Sequence, residues 1–225
     1  MKNKVGVFPG ATWQSTHEFG SCLVNHHAKL FFVHIPKCAS SWAKQYLSSQ
    51  GKDADEKLHW DAGNFADPEK NLAISFQKQP IDLDTYTPIF FLRDVQQRWL
   101  SHRPCPNIIE NAGLDSIEIL IQAMPSMIDD EHTAPQSDFI QGLDWSKAAC
   151  FLCDDWLDQR FSFWLSKHNL RGYRSAGKVN TSVHDAGYAL YRQNWNLLYD
   201  YTALKYSFDH FYREDIDLLR ETPFS

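Results

Sequence analysis

Residues 30–47 read LFFVHIPKCASSWAKQYL, and the fold is decided there. Leu30 to Ile35 is a short apolar run, rich in aromatic and branched side chains, of the kind buried in a parallel sheet. Pro36 ends the strand, because proline has no N–H to give to a ladder. Ala43, Tyr46 and Leu47 recur at helical spacing and predict a helix packed back on the sheet. Ser40 or Ser41 is its N-cap. A helix N-terminus with a lysine, Lys37, and two hydroxyls therefore follows the carboxyl end of a strand. Backbone N–H groups and the helix dipole favour an anion at such a place. The plain alternative is a βα turn with one solvated lysine. The stretch is not the phosphate loop of nucleotide hydrolases, which needs G-x-x-x-x-G-K-[ST], since no glycine lies between Gly20 and Gly51.

Residues 88–103, PIFFLRDVQQRWLSHR, repeat the plan. Ile89 to Leu92 is an apolar strand with Arg93 at its end. Asp94 can cap a helix carrying Val95, Trp99 and Leu100. Ser101 lies about two helical turns beyond Arg93. Together they can serve one phosphate, the arginine as a fork donor and the serine as a hydroxyl donor.

HIPKCASSW resembles the 5′-phosphosulfate loop of the PAPS-dependent sulfotransferases, and FFLRDVQQRWLSH resembles their 3′-phosphate motif. The carbohydrate enzymes, including the heparan sulfate 2-O and 6-O types, are the most similar group. LHWDAGNF at 58–65, DEHTAPQ at 130–136, KVNTS at 178–182 and FDHFYREDIDLL near the C-terminus keep the family's order. Cys38 and Ala39 stand where the family usually has Thr and Gly, and Val95 replaces the usual Pro. The resemblance implies a P-loop-like three-layer α/β/α fold with a central parallel sheet, spanning 1–225 as a single domain. It implies sulfuryl transfer from PAPS to an acceptor hydroxyl, most simply on a carbohydrate, with no metal. Lys37, Cys38, Ala39, Ser40, Ser41 and Trp42 would hold the phosphosulfate, with Lys37 also stabilising the leaving phosphate. Arg93 and Ser101 would fix the 3′-phosphate, and Lys178, Asn180 and Ser182 would lie near the nucleotide. His59, six residues before Phe65 as in the 2-O relatives, would be the base, with His132 of DEHTAPQ as its rival. The alternatives are a P-loop kinase or NTPase-like enzyme, which the missing glycines disfavour, and a non-catalytic PAPS- or glycan-binding relative.

Composition agrees with one α/β domain: 225 residues, 43% hydrophobic, with eight Trp and fifteen Phe to fill a core. A net charge of −6 argues against a nucleic-acid partner, which would call for a basic surface. MKNKVGVFPGATW is interrupted by Pro9 and Gly10 and does not read as a signal peptide. No run of about 18 apolar residues predicts a membrane span. Five cysteines, an odd number without a secretory context, read as reduced thiols in a cytoplasmic protein.

Elsewhere, 1–29 reads as an irregular N-terminal arm. His26 and His27 lack the spacing of a metal site. Residues 52–57 are a solvated charge run, and 71–76 a short strand. Ile117, Leu120, Ile121 and Met124 mark a helix capped by Asp115 or Ser116 and stopped by Pro125, followed by a polar loop over 126–138. Ala148 to Leu152 is a strand. Leu157 to His168, Leu190 to Leu204 and Phe208 to Leu219 are helices.

Overall fold

A computed structural model of the chain describes residues 21–50, 56–64, 85–102, 114–127, 132–140, 143, 145–170 and 186–225. Two compact units divide it. The first comprises Met1–Leu92, Gln136–Val179 and Thr222–Ser225, and the second Arg93–Pro135 and Asn180–Glu221.

The first unit is built on a five-stranded sheet. Its strands are β1 (Ser21–Asn25), β2 (Leu30–Val33), β3 (Asp61–Asn64), β4 (Thr87–Leu92) and β5 (Ala149–Leu152), in spatial order β3-β1-β2-β4-β5. β2, β4 and β5 are parallel, as their unbroken apolar composition predicts. β1 is antiparallel to both of its neighbours, so it alone runs against the other four strands. This corrects two expectations: the sheet is mixed, and residues 21–25 are an interior strand rather than part of an irregular arm. The hairpin is set by Asn25, which is fully buried. Its Oδ1 accepts the Ala28 N–H at 2.7 Å, and its Nδ2 donates to the Lys57 carbonyl at 2.9 Å. Lys29 at φ 56° completes the turn, and Asn25 pairs with Leu30. β3, DAGN, has no strand composition and owes its form to pairing with β1. The expected strand at 71–76 lies outside the described residues.

Among the described residues, three helices follow strands or precede them in this unit: α1 (Ser40–Gln50), α4 (Gln136–Ile140) and α5 (Leu157–Lys167). Phe32, Phe91 and Phe151, from three adjacent strands, stack edge to face at 5.0 and 5.8 Å. Phe161 of α5 meets Phe91 at 5.0 Å and Phe151 at 5.2 Å, while Trp42 and Tyr46 of α1 meet Phe161 at 6.0 and 5.8 Å. α1 and α5 therefore share one face of the sheet. Aromatic pairs of this kind add about 0.5–1.5 kcal/mol each beyond simple burial. The backbone N–H of Ser225 donates to the Cys150 carbonyl of β5 at 2.9 Å.

The second unit is helical among the described residues: α2 (Val95–His102), α3 (Leu114–Met127), α6 (Ala186–Tyr199), α7 (Thr202–Phe211) and α8 (Arg213–Glu221). Val95, Trp99, Ile117, Leu120, Met124, Trp195, Leu198, Leu204, Phe208 and Tyr212 belong to its core. α3 begins at Leu114 and carries Pro125 in its last turn instead of stopping there. Pro125 gives up the bond to the Ile121 carbonyl and its ring crowds that carbonyl, and the helix closes two residues later. The helix read over 190–204 is two helices, with the break before Thr202. At 100° per residue, Leu204 on one straight helix would point far from Leu198. The break returns Leu204, Phe208 and Tyr212 to the core that Trp195 and Leu198 already line. No helix among the described residues is long and apolar enough to cross a membrane.

Candidate functional site

The loop from β2 to α1 is shaped by one carbonyl and two unusual backbone angles. The Cys38 N–H donates to the Ile35 oxygen at 3.2 Å, and the Ser40 hydroxyl donates to the same oxygen. Lys37 has φ 65° and Ala39 φ 55°. The first helical bond runs from the Ala43 N–H to the Ala39 oxygen at 3.0 Å, so Ala39 is the N-cap residue. This corrects the expectation of a serine cap. Ser40 is buried, and its hydroxyl is a second donor to the Ile35 carbonyl that the Cys38 N–H already meets. Ser41 is exposed within α1. The left-handed angle of Ala39 is one that costs a non-glycine residue about 1–2 kcal/mol.

The side chains of this loop divide by burial. Lys37 is half-buried and Ser41 exposed. Cys38 is fully buried, and its thiol donates to Gln136 Oε1 at 3.0 Å. Trp42 lies 5.0 Å from Tyr46 and 6.0 Å from Phe91, centroid to centroid. Of the residues expected to hold the phosphosulfate, Cys38 therefore has its side chain committed to the interior, Trp42 is half-buried with its ring packed on Tyr46 and Phe91, and the Cys38 N–H is committed to Ile35. Backbone passing through left-handed conformations beside a helix N-terminus makes a concavity suited to anions. It sits at the carboxyl end of β2, the end of a sheet at which α/β proteins bind ligands.

In the second unit, Asp94 caps α2 as expected: its Oδ1 accepts the Gln97 N–H at 3.0 Å and its carbonyl accepts the Arg98 N–H at 2.9 Å. Arg93 is half-buried. The Ser101 hydroxyl, also half-buried, donates to the Arg98 carbonyl at 2.6 Å. Arg98 escaped the sequence reading. It is 1% exposed, and its guanidinium donates to the Ala134 carbonyl, next to Thr133, whose carbonyl takes the Tyr212 hydroxyl at 2.6 Å. Its spacing was the available signal, since Arg98 falls on the buried stripe that Val95 and Trp99 define.

His59 is not brought to the Lys37 loop. β3 is antiparallel to β1 and β1 to β2, so Asp61 stands level with Val24 and Phe31. His59, exposed just before β3, is at the end of the sheet where β2 begins. Lys37 follows the end where β2 leaves, four strand residues away at about 3.3 Å each. The polar, glycine-containing β3 gave no sign of its strand direction, and the expectation of His59 beside Lys37 is corrected. His132 is half-buried at the start of the 132–135 turn. His168 is the C-cap of α5, 4.1 Å from the Trp164 ring, and burial pulls its pKa down. His26 Nδ1 lies 2.8 Å from the Tyr86 hydroxyl. Lys178, Asn180 and Ser182 lie outside the described residues.

Beyond β5, burial works upward on the Asp154 carboxyl. The hydrogen bonds from Arg160 and the Trp156 N–H, with the Arg160 charge, outweigh it and hold the pKa below the usual carboxylate range. Arg160 lies 2.8 Å from Asp154 and also donates to the Leu152 carbonyl at 2.8 Å. This strand-end aspartate is thus built into an ion pair. Cys38, Cys150 and Cys153 are buried thiols outside any disulfide. Burial, then the neighbouring Cys38, push the Cys150 thiol well above its ordinary range. Among the described residues, no three His, Cys, Asp or Glu side chains gather in a group able to hold a metal ion.

Compared with protein-family models, curated proteins and solved structures, the chain matches none.

Proposed function

We propose that this chain is a PAPS-dependent sulfotransferase acting on a hydroxyl acceptor, with a carbohydrate as the acceptor class, a P-loop-like three-layer fold and a cytoplasmic setting. The observation that carries the reading is the β2–α1 loop. It joins the sequence resemblance of HIPKCASSW to two left-handed residues, 37 and 39, and to a helix that starts at the carboxyl end of a strand. In this reading the backbone ahead of the first helical bond and the Lys37 ammonium take the phosphosulfate. Arg93 and Ser101, assigned by resemblance, take the 3′-phosphate. The bond from sulfur to the bridging phosphate oxygen breaks while the acceptor oxygen bonds to sulfur. Lys37 then offsets the charge that collects on the leaving phosphate. The acceptor proton passes to a base, and with His59 at the other end of the sheet, the resemblance leaves its rival His132 for that role in our proposal.

The test has two stages. Adenosine 3′,5′-bisphosphate should raise the thermal midpoint of the purified protein far more than AMP or ATP does. Labelled PAPS should then pass its sulfuryl group to a hydroxyl in an acceptor screen. Lys37→Ala and His132→Ala should each cut the transfer rate by about a hundredfold or more, and His132→Ala should leave nucleotide affinity nearly unchanged. Equal stabilisation by ATP would count for the kinase reading, and tight binding without transfer to any acceptor would count for a non-catalytic relative.

A further inference from the structure

Gln136, the last residue of DEHTAPQ, has no part in the reaction as proposed. It is fully buried at the head of α4, with its Oε1 3.0 Å from the Cys38 thiol. A buried amide oxygen needs a donor, and a thiol ordinarily supplies only a weak one. This bond spans 98 positions of sequence and ends on the residue between Lys37 and Ala39. Those two neighbours both hold left-handed angles, and neither is glycine. Such a conformation persists where the surroundings over-determine it. Two local bonds converge on the Ile35 carbonyl, from the Cys38 N–H and the Ser40 hydroxyl. The bond from Gln136 differs in kind, because it comes from a separate element and fixes the side chain of the central residue.

We infer that Gln136 is a positioning residue for the nucleotide loop: through Cys38 it holds Lys37 and Ala39 in their left-handed conformations and so sets the anion-binding shape of residues 35–41. The inference rests on the reading of this loop as the PAPS donor site. It differs from the role of an ordinary core hydrogen bond, which would alter the stability of the chain and leave the affinity of the folded protein alone.

The full chain and four variants, C38A, C38S, Q136M and C38A/Q136M, are titrated with adenosine 3′,5′-bisphosphate by calorimetry well below each thermal midpoint, and the midpoints are recorded in parallel. C38A and Q136M should each weaken binding about tenfold, the scale of one hydrogen bond in a preorganised site. The double variant should bind no more weakly than the weaker single, because the two substitutions share the Cys38–Gln136 bond. C38S restores a donor and should recover most of the loss seen in C38A. Should Q136M not fold, the C38A and C38S pair decides the matter, since Cys to Ala is a mild deletion. Midpoints that fall while affinities stay at the wild-type value overturn the inference, as does C38S binding no better than C38A. If the wild-type chain does not bind the bisphosphate at all, the donor-site reading itself fails, whatever the variants show.

Discussion

The two strand-to-helix turns, after β2 and after β4, begin from the same sequence plan and reach it by different physics. After β4 the chain needs two residues, Arg93 and Asp94, before α2 begins at Val95. An aspartate side chain caps the helix in the ordinary way. After β2 the chain uses residues 34–39, and the cap is the backbone of a left-handed alanine. The serine that looks like the cap is turned to the Ile35 carbonyl. A cap made by a side chain is self-sufficient. A cap made by strained backbone depends on its neighbours, here a buried hydroxyl and a buried thiol. The β2 turn can therefore hold a shape that local preference would not choose, at the cost of relying on distant residues.

Three measurements strain this contrast, in decreasing order of effect. Trp99→Ala tests whether the β4 turn is secured by the core packing of α2. Trp99 is fully buried against Trp195, Phe208 and Tyr212, and its loss should cost about 3–5 kcal/mol in urea unfolding. A loss below about 1 kcal/mol would show that α2 is held by something other than its core face. Asp94→Ala should cost about 1 kcal/mol, whereas Ser41→Ala should stay within about 0.5 kcal/mol. Equal losses would mean that both turns are capped by side chains after all. Ala39→Gly should stabilise the chain by roughly 0.5–1 kcal/mol. The left-handed angle costs alanine about 1–2 kcal/mol, and the freedom of glycine when unfolded takes back about half. A lower midpoint for this variant would contradict a strained cap.

The parts of the fold that could be read in the sequence were those with strong local signals. LFFV, PIFFL and ACFL are apolar without interruption, and they appear as β2, β4 and β5. Asp94 announced its cap, and Leu157, Phe161 and Leu165 announced the buried stripe of α5. β1 and β3 were hidden because SCLVN is short and DAGN polar; their form comes from pairing with one another and with β2, which no local window contains. The cap at Ala39 was missed because serine has the higher intrinsic preference, and the buried Ile35 carbonyl outbid it. Arg98 was not singled out, although its place on the Val95–Trp99 stripe marks it as interior. His59 was chosen by spacing within a resemblance, and spacing carries no information on which end of a sheet a residue reaches.

The reversed direction of β1 also orders the events of folding. β1 and β2 meet across residues 26–29, a closure that hairpins complete in about 1–10 μs. The parallel ladders must instead bring Leu30 to Thr87 and Ile89 to Ala149, and these long closures bring loop entropy and delay. Pulsed hydrogen exchange during refolding should find the β1 amides that face β2 protected before that of Phe90. Protection in the reverse order would show that the parallel strands nucleate the sheet. The Cys38 thiol meets Gln136 across 98 positions of sequence, another long closure, so the β2–α1 loop takes its final shape late. If the loop holds a nucleotide as proposed, a refolding chain that already owns its hairpin would still be unable to grip it, and ligand binding would report completion rather than onset of folding.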